Sequence, residues 1–165
     1  MRSALSSLYA LCGALAALFL VALAVIVLIS VICRLLGFSI PGLTAYAGYC
    51  MAASSFLALA YTFEHGGHIR VSILLQRLHG TARRLAELWC LAVGSLLAAY
   101  LAWYGIKMVR VSIAIGDVSQ AADATPLWIP QLGMALGAAV LALALIDRLV
   151  AVARGAPLET GRPVE

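Results

Sequence analysis

Residues 8–33 read LYALCGALAALFLVALAVIVLISVIC, 26 positions without an Asp, Glu, Lys, Arg or His. A bilayer's hydrocarbon core is about 30 Å thick, so a helix rising about 1.5 Å per residue crosses it in about 20 apolar residues. This stretch therefore reads as a transmembrane helix, closed by Arg34. Arg2 precedes it, as a basic residue does in a secretory leader, but a leader's apolar region runs to about 7–15 residues and ends at small residues. The segment lacks both features and is expected to stay as an anchor.

Three further runs have the same character. Residues 40–63 end at Glu64, residues 88–106 lie between Glu87 and Lys107, and residues 124–146 end at Asp147. Composition agrees with them. Of the 165 residues, 64% are hydrophobic and 11% charged, against about 45–50% and about 25% in soluble domains. The mean hydropathy is +1.05. A soluble fold of this size has too few polar side chains to cover so much apolar surface. Disorder, a disulfide scaffold and a nucleic-acid binder are excluded on the same ground. The chain reads as an all-α integral membrane protein of four transmembrane helices over residues 1–154, with residues 155–165 as a disordered cytoplasmic tail.

Four spans place both termini and the middle connection on one side. That side holds Arg2, Arg70, Arg77, Arg83, Arg84, Arg148, Arg154 and Arg162, eight of the eleven Lys and Arg. Only Arg34, Lys107 and Arg110 fall opposite. The positive-inside rule then puts both termini in the cytoplasm. Lys and Arg set orientation here, so the net charge of +4 carries no message about an anionic ligand.

The connections differ in content. The link from Arg34 to Ser39 is short, which makes the first two helices a tight antiparallel pair, and Pro41 fits the first turn of the second. Between spans two and three, Gly66 and Gly67 break the helix, and Val71, Leu74, Leu75 and Leu78 follow at i, i+3, i+4 and i+7. That spacing predicts a short amphipathic interfacial helix over about 68–79, its arginines reaching membrane lipid phosphates. Beyond Ile106, residues 107–123 mix aliphatic and charged positions. They read either as an extension of helix three or as a surface loop. Asp123 or Thr125 is expected to cap helix four, with Pro130 kinking its entry.

Ionisable groups within a membrane are costly and usually functional, and the four runs contain none. An ion-coupled transporter working alone would need a carboxylate near the midplane, or backbone and hydroxyl oxygens in its place. Ser54, Ser55 and Thr62 more naturally bond their own helices. Cys12, Cys33, Cys50 and Cys90 are scattered, without a C-x-x-C pair, and read as small buried hydrophobes. A b-type haem needs two histidines facing each other inside the bundle, whereas His65, His68 and His79 share one connection. No cofactor, metal or catalytic residue is expected, and the chain is not read as an enzyme. Gly133 and Gly137 form G-x-x-x-G, and Gly13/Ala17 and Gly94/Ala98 repeat the small-residue spacing. Each suits close helix contact, within the bundle or with another subunit. Trp89, Trp103, Tyr104 and Trp128 fall near span ends, where aromatic belts lie.

Several of these features occur together in one known family. Arg34 closes helix one, the segment from Gly66 to Val71 reads GGHIRV, Arg83 and Arg84 precede helix three, and Thr125 to Pro130 read TPLWIP. In this order the chain resembles the small membrane subunit of tripartite ATP-independent periplasmic (TRAP) transporters, the DctQ-type family. The similarity runs from about Leu8 to Leu149. His68, Ile69 and Val71 match the family's cytoplasmic signature; Thr125, Pro126, Trp128 and Pro130 match the entry to helix four.

The resemblance implies a scaffold in the bacterial inner membrane, paired with a large membrane subunit that carries the sodium and substrate sites. A soluble periplasmic solute-binding protein would deliver an organic acid. His68, Ile69, Arg70, Val71, Arg34, Arg83, Arg84, Thr125, Pro126, Trp128, Pro130, Gly133 and Gly137 are then candidates for assembly or membrane seating. One departure stands out. Where many members carry an acidic residue early in helix two, this chain reads Leu43-Thr44-Ala45-Tyr46-Ala47-Gly48, leaving Thr44 or Tyr46 to take that place. Two other classes remain in view: a small redox or haem protein, and a self-contained homo-oligomeric transporter.

Overall fold

The computed structural model describes residues 2–65, 81–122 and 124–155. Within them lie four helices: α1 (Arg2–Leu35), α2 (Leu43–Glu64), α3 (Thr81–Ile115) and α4 (Trp128–Ala153). All four are long and apolar enough to cross a membrane, so the protein is an all-α membrane protein. The expected interfacial helix at 68–79, with His68, Ile69, Arg70 and Val71, lies outside the described residues.

The helices do not end where the apolar runs end. α1 continues past Arg34 and α3 past Lys107 and Arg110, since Lys and Arg are good helix formers and their stems lie along apolar surface. Both helices stop instead at a left-handed glycine. At Gly116 (φ 63°), the Gly116 amide donates to the Ile113 carbonyl at 3.3 Å and the Asp117 amide to Ser112 at 2.9 Å. Gly37, φ 84°, closes α1 with the same pair of bonds, to Arg34 and Cys33. This two-bond closure needs a residue without a Cβ penalty at positive φ. Residues 107–115 are therefore helix, and α3 is 35 residues long, about 52 Å.

Helix four starts later than the sequence suggests. Residues 117–127 form a closed loop in which Ser119 donates to the Thr125 carbonyl at 2.9 Å and Leu127 to Asp117 at 3.0 Å. Val118 and Pro126 pair as an isolated bridge. The residue before a proline is steered away from helical backbone, and Ala124 is left-handed at φ 45°. The N-cap is thus Leu127, without a side-chain cap bond. Thr125 is not the cap, and Asp123 lies outside the described residues. Pro130 sits in the first turn, where no intrahelical donor is lost.

In space the order is α1–α2–α4–α3: α1 packs on α2, α2 on α4, and α4 on α3. α2 and α4 run parallel and their neighbours antiparallel. One end of the row carries the 36–42 and 116–127 connections (the loop end); the other carries the helix termini near residues 2, 65, 81 and 155 (the terminal end). A small buried cluster of Tyr9, Cys12 and Ala16 from α1, Leu57 and Ala60 from α2, and Val140 and Ala144 from α4 joins three helices toward the terminal end.

The core is inverted relative to a soluble protein. Among the described residues, nine of the seventeen buried hydrophobic positions are alanine, while large aliphatic side chains point outward along α1 and α3. In the most apolar window of α1 only 6% of residues are buried. Lipid tails are as apolar as leucine, so helices associate through close packing of small residues rather than by hiding large ones. The seams show this directly. A Cβ on Gly133 would stand 3.0 Å from the Ala53 Cβ, and one on Gly137 would intrude into the backbone of Phe56 and Leu57. The G-x-x-x-G of α4 is therefore the α2–α4 seam inside this chain. Gly105 of α3 lies against Ala135 of α4, and Gly13 of α1 against the Tyr61 ring of α2.

Candidate functional site: an uncharged core between two polar ends

Among the described residues, the Asp, Glu, Lys, Arg and His side chains all lie toward an end of the row. Near the terminal end of α2, Thr62 Oγ1 donates to the Ala58 carbonyl at 2.8 Å, and in the middle of α3 Ser95 Oγ donates to the Ala92 carbonyl at 3.0 Å. Both hydroxyls bond their own helices; of the three expected to do so, Thr62 is the one for which that bond is seen. Cys12 and Cys33 are buried free thiols, but Cys90 is exposed, on the outward side of α3. The reading of all four cysteines as buried hydrophobes therefore does not hold for Cys90. No cluster of three or more His, Cys, Asp or Glu able to hold a metal occurs among the described residues.

At the terminal end, Arg83, Arg84 and Glu87 lie in the first two turns of α3, with Glu87 8% exposed. Arg83 and Glu87 share a helix face by their four-residue spacing. Arg84 reaches across to α4, where its Nη2 donates to the Val152 carbonyl at 3.2 Å. A cation suits that place, because the last carbonyls of a helix lack partners and carry partial negative charge. Arg84 thus belongs to the start of α3 and closes the end of α4. His65 stacks on Tyr61 at 4.1 Å between ring centroids, its Nδ1 2.9 Å from the Tyr61 carbonyl. It serves the end of α2.

At the loop end, Arg34 is exposed on the last turn of α1 beside Leu35, Leu36 and Phe38, which are exposed too. Of the TPLWIP entry, Thr125, Trp128 and Pro130 are half-buried and Pro126 is exposed. Thr125 Oγ1 donates to the Tyr46 hydroxyl at 3.1 Å, tying the α3–α4 loop to the first turn of α2. Thr125→Val and Tyr46→Phe should each cost about 0.5–1 kcal/mol, as expected for one hydrogen bond. The double variant should cost no more than one single, as read by thermal unfolding in detergent.

The loop end also holds a feature absent from the sequence reading. A cleft of about 260 Å³ opens between the last turns of α3, Asp117 and Gln131 of α4. Ser112 lines it at 2% exposure, and Ser112 Oγ and Gln131 Oε1 are buried with no hydrogen-bond partner. Lys107 and Asp117 supply the two charges. Sequence spacing hides this group, because Gln131 reaches it only through the packing of α4 on α3.

The comparisons with known proteins bear on this arrangement. The family described as "Tripartite ATP-independent periplasmic transporters, DctQ component" matches residues 23–155. Neither a curated protein nor a solved structure matches the chain. The matched region takes in the last 13 residues of α1, all of α2, α3 and α4, both loop-end connections and the GGHIRV segment. Four membrane-crossing helices with an uncharged middle, joined to a match over most of the length, give one result: the chain belongs to the DctQ family and is a small multi-pass membrane component of a TRAP transporter.

Proposed function

We propose that this chain is the non-catalytic scaffold of a sodium-driven importer in the bacterial inner membrane. A large membrane partner would hold the sodium and substrate sites, and a periplasmic binding protein would deliver an organic acid to it. Both termini face the cytoplasm in this reading, which rests on the eight arginines gathered at the terminal end and the connections beside it.

The observation that carries the reading is the division of labour across the row. The middle of the four helices offers no carboxylate, ammonium, guanidinium or imidazole with which to grip a driving ion. The seams are close and alanine-rich, which makes a stiff body. The edge helices α1 and α3 keep broad apolar faces for lipid and for the large partner. A rigid, electrically silent row can brace a moving neighbour.

Reconstitution tests this. Proteoliposomes holding this chain alone should show no sodium-dependent uptake of any organic acid, with or without the binding protein. Adding the large membrane partner and the binding protein should restore it. Uptake by the chain alone would overturn the scaffold reading.

A further inference from the structure

We propose that the cleft between the last turns of α3 and the start of α4 binds the zwitterionic headgroup of an ethanolamine phospholipid, with its phosphate at Lys107 and its ammonium at Asp117.

Two unpartnered polar atoms lie buried beside the cleft. Ser112 is 2% exposed, yet its hydroxyl has no partner, and the Gln131 carbonyl oxygen is equally buried and unpartnered. A serine in a helix commonly bonds the carbonyl one turn back; here that bond is not made, and Ser112 stands in the cavity wall with its hydroxyl buried just behind the surface. Buried polar groups without partners are rare and costly. A rotamer shift of Ser112 or Gln131 toward the cleft would let a ligand offering both donors and acceptors satisfy the two, and a volume of about 260 Å³ holds about nine waters at ~30 Å³ each. That is room for a small polar group, not for a folded segment.

Charge order selects the ligand. Lys107 lies nearest the apolar part of α3, and Asp117 lies beyond the helix end, past eight more helical residues, or about 12 Å of axis. Ethanolamine phospholipids present their charges in the same sequence, phosphate next to the glycerol and ammonium outside it. A purely anionic headgroup would leave Asp117 facing negative charge. A choline headgroup has no N–H to donate to Asp117 or to the Gln131 oxygen.

Depth fits as well. Trp89 and Trp103 are 71% and 69% exposed and are 14 residues, about 21 Å, apart along α3. With Trp89 at one boundary, a core about 30 Å thick ends about 20 residues further along α3, near Val109, with Trp103 and Tyr104 just inside it. The cleft therefore sits in the headgroup layer. Met108 and Val111, 40% and 48% exposed, form an apolar wall on which the acyl chains can start. The inference rests on the membrane fold and the cleft, not on the scaffold reading, and holds for whichever leaflet the loop end occupies.

The experiment is native mass spectrometry of the full-length chain, delipidated in mild detergent and offered equimolar phosphatidylethanolamine, phosphatidylcholine and phosphatidylglycerol. The unsubstituted chain should retain phosphatidylethanolamine about tenfold over either competitor, the order of one charge-assisted hydrogen bond. Asp117→Asn should erase that preference, and Lys107→Ala should weaken all three lipids. Ser112→Ala should lower phosphatidylethanolamine occupancy several-fold with an unchanged melting temperature, which separates binding from folding. Equal occupancy by the three lipids, or an unaltered preference in Asp117→Asn, would overturn the proposal. So would displacement of the lipid by water-soluble phosphoethanolamine, which would make the site one for a free solute.

Discussion

Gly137→Leu should force α2 and α4 apart and destabilise the chain by about 1–3 kcal/mol or more. The position leaves no room even for a Cβ, which would enter the backbone of Phe56 and Leu57. Overpacking against a flexible side-chain end is relieved by a rotamer change, but backbone yields only by moving a helix. Gly133→Ala, facing the Ala53 Cβ at 3.0 Å, should cost less, because a shift of a few tenths of an ångström accommodates it. Gly48→Ala in α2 is the control. A Cβ there meets nothing within 4 Å, and alanine favours helix by up to about 1 kcal/mol. Thermal unfolding in detergent should rank the variants in that order. In the proposed scaffold role, co-purification of a large membrane partner should also fall with Gly137→Leu, since there the row must stay intact to present its edges. A Gly137→Leu chain with unchanged stability would mean that α4 meets something other than α2.

Leu18→Arg should cost about 2.5–3.5 kcal/mol of membrane insertion, close to a hundredfold change in the inserted fraction. Leu18 lies at the centre of α1 and is 64% exposed, so its guanidinium has the longest path to either surface. Leu35→Arg is the companion variant. Leu35 is more exposed, at 81%, but stands beside Arg34 at the helix end, where an arginine reaches the headgroups at little cost. Alkaline extraction and protease protection should therefore separate two substitutions that surface exposure alone would rank the other way. Equal insertion of both would place α1 differently in the bilayer.

The four helices are visible in the chain because each exceeds the length needed to cross hydrocarbon without a charge. Their ends are not. A charge ends an apolar run, but it does not end a helix, so α3 passes Lys107 and Arg110 and stops only at Gly116. The same blindness runs the other way at α4, where residues 124–127 are apolar enough to count as span yet belong to the loop, held there by Pro126 and the bonds from Asp117 to Leu127. The candidate residues divide similarly. Arg84, Thr125 and Gly137 each have an identified partner: a helix end, a tyrosine hydroxyl and a neighbouring backbone. Ser112 and Gln131 attracted no notice, since nothing in a lone serine or glutamine announces a cavity.

The amino-acid sequence by itself determined that this protein lives in a membrane, crosses it with four helices and keeps its middle free of charge. Those properties follow from transfer free energy summed along short stretches, which depends on local composition and not on neighbours in space. Only the tertiary structure decided that the helices stand in the order α1–α2–α4–α3, that the G-x-x-x-G stripe serves an internal seam, and that Lys107, Ser112, Asp117 and Gln131 meet around one cleft. A stripe of small residues specifies that something approaches closely, but the identity of what approaches is a long-range fact, settled by which pair of surfaces packs without a gap.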